Sequence, residues 1–243
     1  MVSTPSLWRH LPSEIIEALS HHHKGPRFDD EEPWRASYNL ALKAHLSRAG
    51  SIPLDMRAVV PSWDIDLPVN KEYLDILGTA LPRLGSFHLS IMDDAGLSRF
   101  AALPQRFDSL KSLEVSISRL VKGREDPVPE APWQLFDHAP LLSQLKISYH
   151  HSMSLIAMTD RIAFPSSNVR DLKVEGLHVI DIYRILEASP NIIQAAFQVP
   201  SESVAGVDRI IDWVELETLT CSTLRVLEVG CDWAEIDVAL TKI

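Results

Sequence analysis

The chain has 243 residues, 46% of them hydrophobic, and carries 23 Lys and Arg against 33 Asp and Glu, a net charge of −10. That acidic balance excludes broad binding to a nucleic-acid backbone, which needs a basic face. No apolar run approaches the roughly 20 residues that cross a bilayer, so neither nucleic acid nor membrane is an expected partner.

Met1 is followed by polar Ser3, Thr4 and Ser6 rather than an apolar signal-like stretch. The two cysteines, Cys221 and Cys231, make no disulfide framework. Both features favour a reducing cytoplasmic or nuclear setting. In chain order, the segment His21 to Pro33 is polar and punctuated by Gly and Pro, which predicts a loop. Trp34 to Ala49 then reads as a helix: Tyr38, Leu42, Leu46 and Ala49 recur at three- and four-residue steps, and Gly50 is placed to end it. Leu54, Met56, Ala58 and Val60 alternate like a first, capping strand.

From residue 84 a single phrase, apolar-x-x-apolar-x-apolar, recurs six times. The copies are Leu84/Phe87/Leu89, Leu110/Leu113/Val115, Leu142/Leu145/Ile147, Val169/Leu172/Val174, Ile192/Ala195/Phe197 and Leu224/Leu227/Val229. Their starts are separated by 26, 32, 27, 23 and 32 residues. Between them, Tyr73 to Leu81, Val179 to Ala188 and Val207 to Leu216 carry apolar residues at helical spacing, the first stopped by Pro82. Lys122 to Pro132 holds three prolines and predicts a loop that delays any helix until Trp133. A short strand recurring every 20 to 30 residues, with helices between copies, predicts an α/β fold. Its form is an irregular leucine-rich-repeat solenoid with parallel strands on the concave face and helices outside. The division expected is an N-terminal helical and loop segment over 1–50 and the repeat array over 51–243.

Within each phrase the residues between the apolar ones face outward. The candidate binding positions among them are His88, Glu114, Gln144, Lys146, Asp171, Lys173, Glu175, Gln194, Gln198 and Glu228. This set is small, polar and mixed in sign. Across the six copies it holds no Trp, Tyr or Arg, the usual binding hot spots. Recognition is therefore expected either weakly on that face or on the loops 118–132 and 149–165. Trp63, in the loop after the first strand, is a candidate anchor, with packing over the end of the array as the plainer alternative.

Three stretches carry a family likeness. Ser3-Thr-Pro-Ser-Leu-Trp8 opens the chain; His45 to Leu54 reads H-L-S-R-A-G-S-I-P-L; and F-x-x-A-P-x-L-x-x-L-x-I spans Phe136 to Ile147 and is echoed from Leu186 to Phe197. In this order the chain resembles the fungal, basidiomycete-type F-box proteins with leucine-rich-repeat-like C-terminal regions. Ala49 stands where that pattern usually has Ser. The resemblance implies a protein-binding substrate receptor for a Skp–cullin ubiquitin ligase, with a Skp-type adaptor as partner where an F-box is present. In that family the F-box precedes the Thr-Pro-Ser-Leu-Trp phrase, and here three residues precede Thr4, so an F-box is expected to be missing. Leu11-Pro-Ser-Glu-Ile-Ile16 resembles an F-box opening, but the usual continuation is replaced by His21 to Pro33.

No catalytic residue, metal or cofactor is expected. His21 to His23, with His10 and Asp29 to Glu32 nearby, is the best metal candidate, yet adjacent histidines in a loop lack rigid ligand spacing. His150 and His151 read as surface histidines, and Cys221 and Cys231 as apolar filler. No nucleophile elbow, phosphate loop or zincin helix occurs. The alternatives are a free-standing scaffold, a metal-dependent enzyme using the His21 loop, or a truncated family member without function. Trp233 to Ile243, which starts a helix without a capping repeat, fits the last of these.

Overall fold

The computed structural model describes residues 31–60, 68–91, 94–117, 133–136, 138–149, 162–163, 168–176, 179–198 and 222–230. The predicted first helix is present as α1 (Glu31–Ala49). It starts three residues early, inside the segment expected to be loop. Pro33 does not prevent this, because the first turn of a helix has no use for its missing N–H. Gly50 ends the helix in the left-handed region, φ +58. Tyr38, Leu42, Leu46 and Ala49 form its buried stripe, as their spacing predicted.

Next comes β1 (Leu54–Val60), whose buried residues are the four that alternate in the sequence. Helix α2 (Pro68–Ala80) follows and passes into a 3₁₀ turn, Leu81–Arg83, that takes in Pro82. α2 opens on Pro68, whose fixed φ suits a first helical position. It is therefore longer than the apolar spacing from Tyr73 indicated. Asn39 ties α1 to α2 by donating to Val69 O at 2.8 Å and to Glu72 Oε2 at 3.0 Å. The buried Tyr38 and Tyr73 rings sit 6.0 Å apart, and burial pushes the Tyr38 hydroxyl up to about 12, so it stays protonated.

All six repeated phrases form strands: β2 (Leu84–Ile91), β3 (Ser112–Ile117), β5 (Gln144–Tyr149), β7 (Asp171–Glu175), β8 (Gln194–Gln198) and β9 (Val226–Gly230). With β1 they make one seven-stranded sheet in the order β1-β2-β3-β5-β7-β8-β9. Every pairing is parallel, and the strands lie in the order in which the chain makes them. The architecture is thus α/β around an all-parallel sheet. Two further helices are described, α3 (Asp94–Ala101) and α4 (Val179–Ala188), the latter with the bounds its apolar stripe predicted. α3 had no counterpart among the expected elements, although it buries Leu97 and Phe100 completely.

Trp133 is the clearest correction. It was expected to open a helix, but it begins the two-residue strand β4 (Trp133–Gln134), parallel to β6 (Ile162–Ala163). Phe136, three residues on, has φ 64, a backbone state that a right-handed helix cannot absorb. Its ring is fully buried, 4.9 Å from Phe107 and 5.7 Å from Phe100, while Phe87 lies 6.2 and 6.5 Å from Phe100 and Phe107. Packing of this aromatic group, offset and tilted as ring quadrupoles prefer, fixes the turn. The core is continuous from Tyr38 on α1 to Phe197 on β8 and so crosses position 50 without a break. The segments 118–132 and 150–161, the helix expected over 207–216, Trp63, Cys221, Cys231 and the His21 loop up to residue 30 lie outside the described residues.

Candidate functional site

Because every strand is in parallel register with its neighbour, corresponding positions of the repeated phrase line up in rows across the sheet. Two rows are apolar, Met56, Phe87, Leu113, Leu145, Leu172, Ala195 and Leu227, and then Ala58, Leu89, Val115, Ile147, Val174, Phe197 and Val229, and from β1 to β8 both are buried. Between them runs a row of opposite character: Arg57, His88, Glu114, Lys146, Lys173, Ala196 and Glu228. A side-chain period of two puts this row on the opposite face of the sheet.

Neighbouring strands stand about 4.8 Å apart, so in-register side chains of a row meet. Glu114 is the centre of the contact. It accepts from Lys146 Nζ at 2.8 Å through Oε1, and His88 Nδ1 lies 2.9 Å from its Oε2. The His88 approach lacks the alignment of a good hydrogen bond and acts as a charge–dipole or ion-pair contact. His88 Nε2 is in turn 3.3 Å from Ser90 Oγ. Partial burial of the Glu114 carboxyl favours its neutral form, but the Lys146 hydrogen bond and the His88 ring outweigh that and hold it below the ordinary carboxylate value. Lys146 is shifted upward, chiefly by its bond to Glu114.

Lys146 and Lys173 are direct neighbours in the row, a like-charge pairing that repels. Glu175 relieves it. It sits two residues along β7 on the same face, where Lys173 Nζ donates at 2.8 Å to Oε1 and Ser148 Oγ donates at 3.0 Å to Oε2. The Lys173 bond, against partial burial, holds the Glu175 carboxyl below its usual range. Glu175 also adds to the field that keeps Lys146 charged. Glu114, Lys146, Glu175 and Lys173, from β3, β5 and β7, thus form one chain of charges of alternating sign, with the His88 ring of β2 against Glu114 at one end.

No family model, curated protein or solved structure matches this chain. The geometry alone therefore bears on its function.

The remaining candidates flank this network. Gln144, Asp171 and Gln194 are exposed and in register in the row on one side, and Gln198 is the register partner of Glu175 on the other. Glu228 is exposed on β9 and separated from the network by Ala196, so it stands apart. Two residues of the site were missed. Arg57, exposed and in register with His88, brings arginine to a face that the six phrases alone leave without it. The alternation of Leu54, Met56, Ala58 and Val60 already marked β1, and extending the phrase to it would have found Arg57. Ser148, two residues past Lys146 on β5, was not among the candidates and is buried as a partner of Glu175.

Ser90, His88 and Glu114 have the order of a nucleophile, base and orienting acid. The described strand backbone around them is paired in the ladders with β1 and β3. Among the described residues no three His, Cys, Asp or Glu side chains gather as metal ligands, and no helix is long and apolar enough to cross a membrane. What this face can do is present charges of both signs, ordered by one another, to a surface laid across the strands.

Proposed function

We propose that this chain is a non-enzymatic protein-docking module whose sheet is that of an irregular leucine-rich-repeat solenoid, with its polar face as the docking surface. The observation that carries the reading is the in-register row His88–Glu114–Lys146, extended through Glu175 to Lys173. Its charges are pre-ordered by their neighbours, so a partner need not order them on binding, and rows of complementary charge fix register and suppress wrong partners. The consecutive, parallel, phrase-by-phrase order of the strands supports the repeat reading. The resemblance to fungal F-box proteins makes the partner a ubiquitin-ligase substrate. A protein that docks such substrates works in the cytoplasm or nucleus and needs no cofactor.

The test is affinity capture with tagged full chain, comparing wild type with the charge reversal Lys146→Glu. Capture of a Skp–cullin assembly together with proteins lost in K146E supports the F-box reading. Proteins lost in K146E without the adaptor support a free-standing scaffold. A set of captured proteins unchanged by K146E and by Lys173→Glu would remove the polar face from the docking surface.

A further inference from the structure

A second surface lies at the N-terminal rim of the sheet, outside the polar face. The residue just before each of β3, β5, β7, β8 and β9 forms a rung there, and these rungs are joined by backbone hydrogen bonds. Ser143 N donates to Lys111 O at 3.0 Å, Arg170 N to Ser143 O at 2.9 Å, Ile193 N to Arg170 O at 2.8 Å and Arg225 N to Ile193 O at 2.8 Å. In rung order the side chains are Lys111, Ser143, Arg170, Ile193 and Arg225. Every second one is a cation, and all three cations are exposed.

The last four rungs line an open groove of about 760 Å³. Leu141, which is 51% exposed, and Ile193 give it an apolar strip. Asn168 and Thr223 stand at matching places in their turns, two residues ahead of Arg170 and Arg225, and both donate to backbone carbonyls, Asn168 to Pro140 O and Thr223 to Pro190 O. These bonds fix the turns that carry the arginines. Among the described residues none that lines it is acidic, in a chain whose acidic groups outnumber its basic ones by 33 to 23.

We infer that this groove docks an extended acidic segment of a partner protein, laid across the strand starts with a carboxylate at about every third residue. Strands are about 4.8 Å apart, so alternate rungs place cations about 10 Å apart. A peptide extended in the polyproline II conformation has three residues per turn and rises about 3.1 Å per residue, so its side chains three positions apart share one face at about the same spacing. Guanidinium groups pair with carboxylates in planar, two-point geometry, which suits Arg170 and Arg225 at the groove itself. Leu141 and Ile193 then take an apolar residue between the acids. A protein segment fits better than a nucleic acid, because the rungs offer no aromatic platform for bases.

The test uses full-length protein and a fluorescent synthetic peptide of twelve residues, with glutamate at every third position and serine or leucine between, read by anisotropy. We expect saturable binding that weakens as salt rises and falls roughly tenfold or more in the double variant Arg170→Gln/Arg225→Gln. Lys111→Gln should lower it less, and Lys173→Gln on the polar face should leave it unchanged. The substituted side chains are exposed, and equal unfolding curves for wild type and double variant establish that the fold is kept. Equal binding of the glutamine version of the peptide, or undiminished binding by the double variant, overturns the proposal. So does a single-stranded oligonucleotide that binds more tightly through the same arginines. A peptide with its glutamates contiguous, binding as well as the spaced one, overturns the register argument.

Discussion

The two faces of the sheet share one backbone register and use it in opposite ways. On one face the rows from β2 to β8 are almost wholly out of water, and four phenylalanine rings from β2, α3 and the turns after it close over them. On the other face His88 and Glu114 keep 22% and 33% of their side-chain surface exposed, and the groups of the network find partners on the next strand or two residues along their own. Burial of apolar area supplies the folding energy on the first face. Partly solvated ion pairs contribute little stability on the second, but they fix charge in space. Stability and recognition are therefore separable by substitution.

The largest effect should come from the aromatic cluster. Phe107→Ala removes a fully buried ring packed against Phe87 and Phe136 and should cost about 3–5 kcal/mol. Urea unfolding measures it, and the fraction that remains folded should capture the same partners as wild type. A loss no larger than that of a polar-face variant would break the division between the faces.

Gly176 comes next, where the chain leaves β7 just past Glu175. Its φ is +81, and an added Cβ would fall 2.0 Å from Tyr149 O. Gly176→Ala combines a left-handed backbone with a backbone clash and should cost on the order of 3 kcal/mol. Because Gly176 N also donates to Gln198 O at 2.8 Å, the change should loosen the end of β7 that positions Glu175. Faster amide exchange at the ends of β7 and β8 would report it, and wild-type exchange there together with a wild-type melt would show that this corner is not fixed.

Much of this arrangement was legible in the sequence because one constraint repeats. A strand that buries one face must alternate, and six copies of the phrase allow no other period, so the strands and the two faces followed directly. Aligning the copies even puts His88, Glu114, Lys146 and Lys173 in one column. What the column does not reveal is pairing. Glu114 serves both His88 and Lys146, whereas Lys173 turns to Glu175 on its own strand, and rotamers and local repulsion decide that. The misses have equally local causes. α3 is eight residues with Gly96 among them, too short for periodicity to speak. Trp133 looked like a helix start because Pro132 precedes it, but the turn is set by Phe136 reaching the distant Phe100 and Phe107. Such a tertiary contact leaves no mark in its own window of sequence.

The smallest energetic effect is expected on the polar face itself, and pH exposes it best. Glu114 and Glu175 have folded-state values below the ordinary 4.5. Their contribution is present above that value and is lost as pH falls through their lowered folded values. Lys146 is raised above the ordinary 10.5, so its contribution is full below that value and is lost as pH rises through the higher folded one. Between those limits these three groups add no slope to the stability. Glu114→Gln should cost roughly 1 kcal/mol or less at neutral pH, since the site is solvated, and should make the acid-side loss of stability shallower than in wild type. Urea midpoints followed down through the carboxylate range would test this, and identical slopes for wild type and E114Q would mean that Glu114 is not held by its neighbours. If the slopes differ while K146E abolishes capture, the weakest interactions of the fold are the ones that choose its partner.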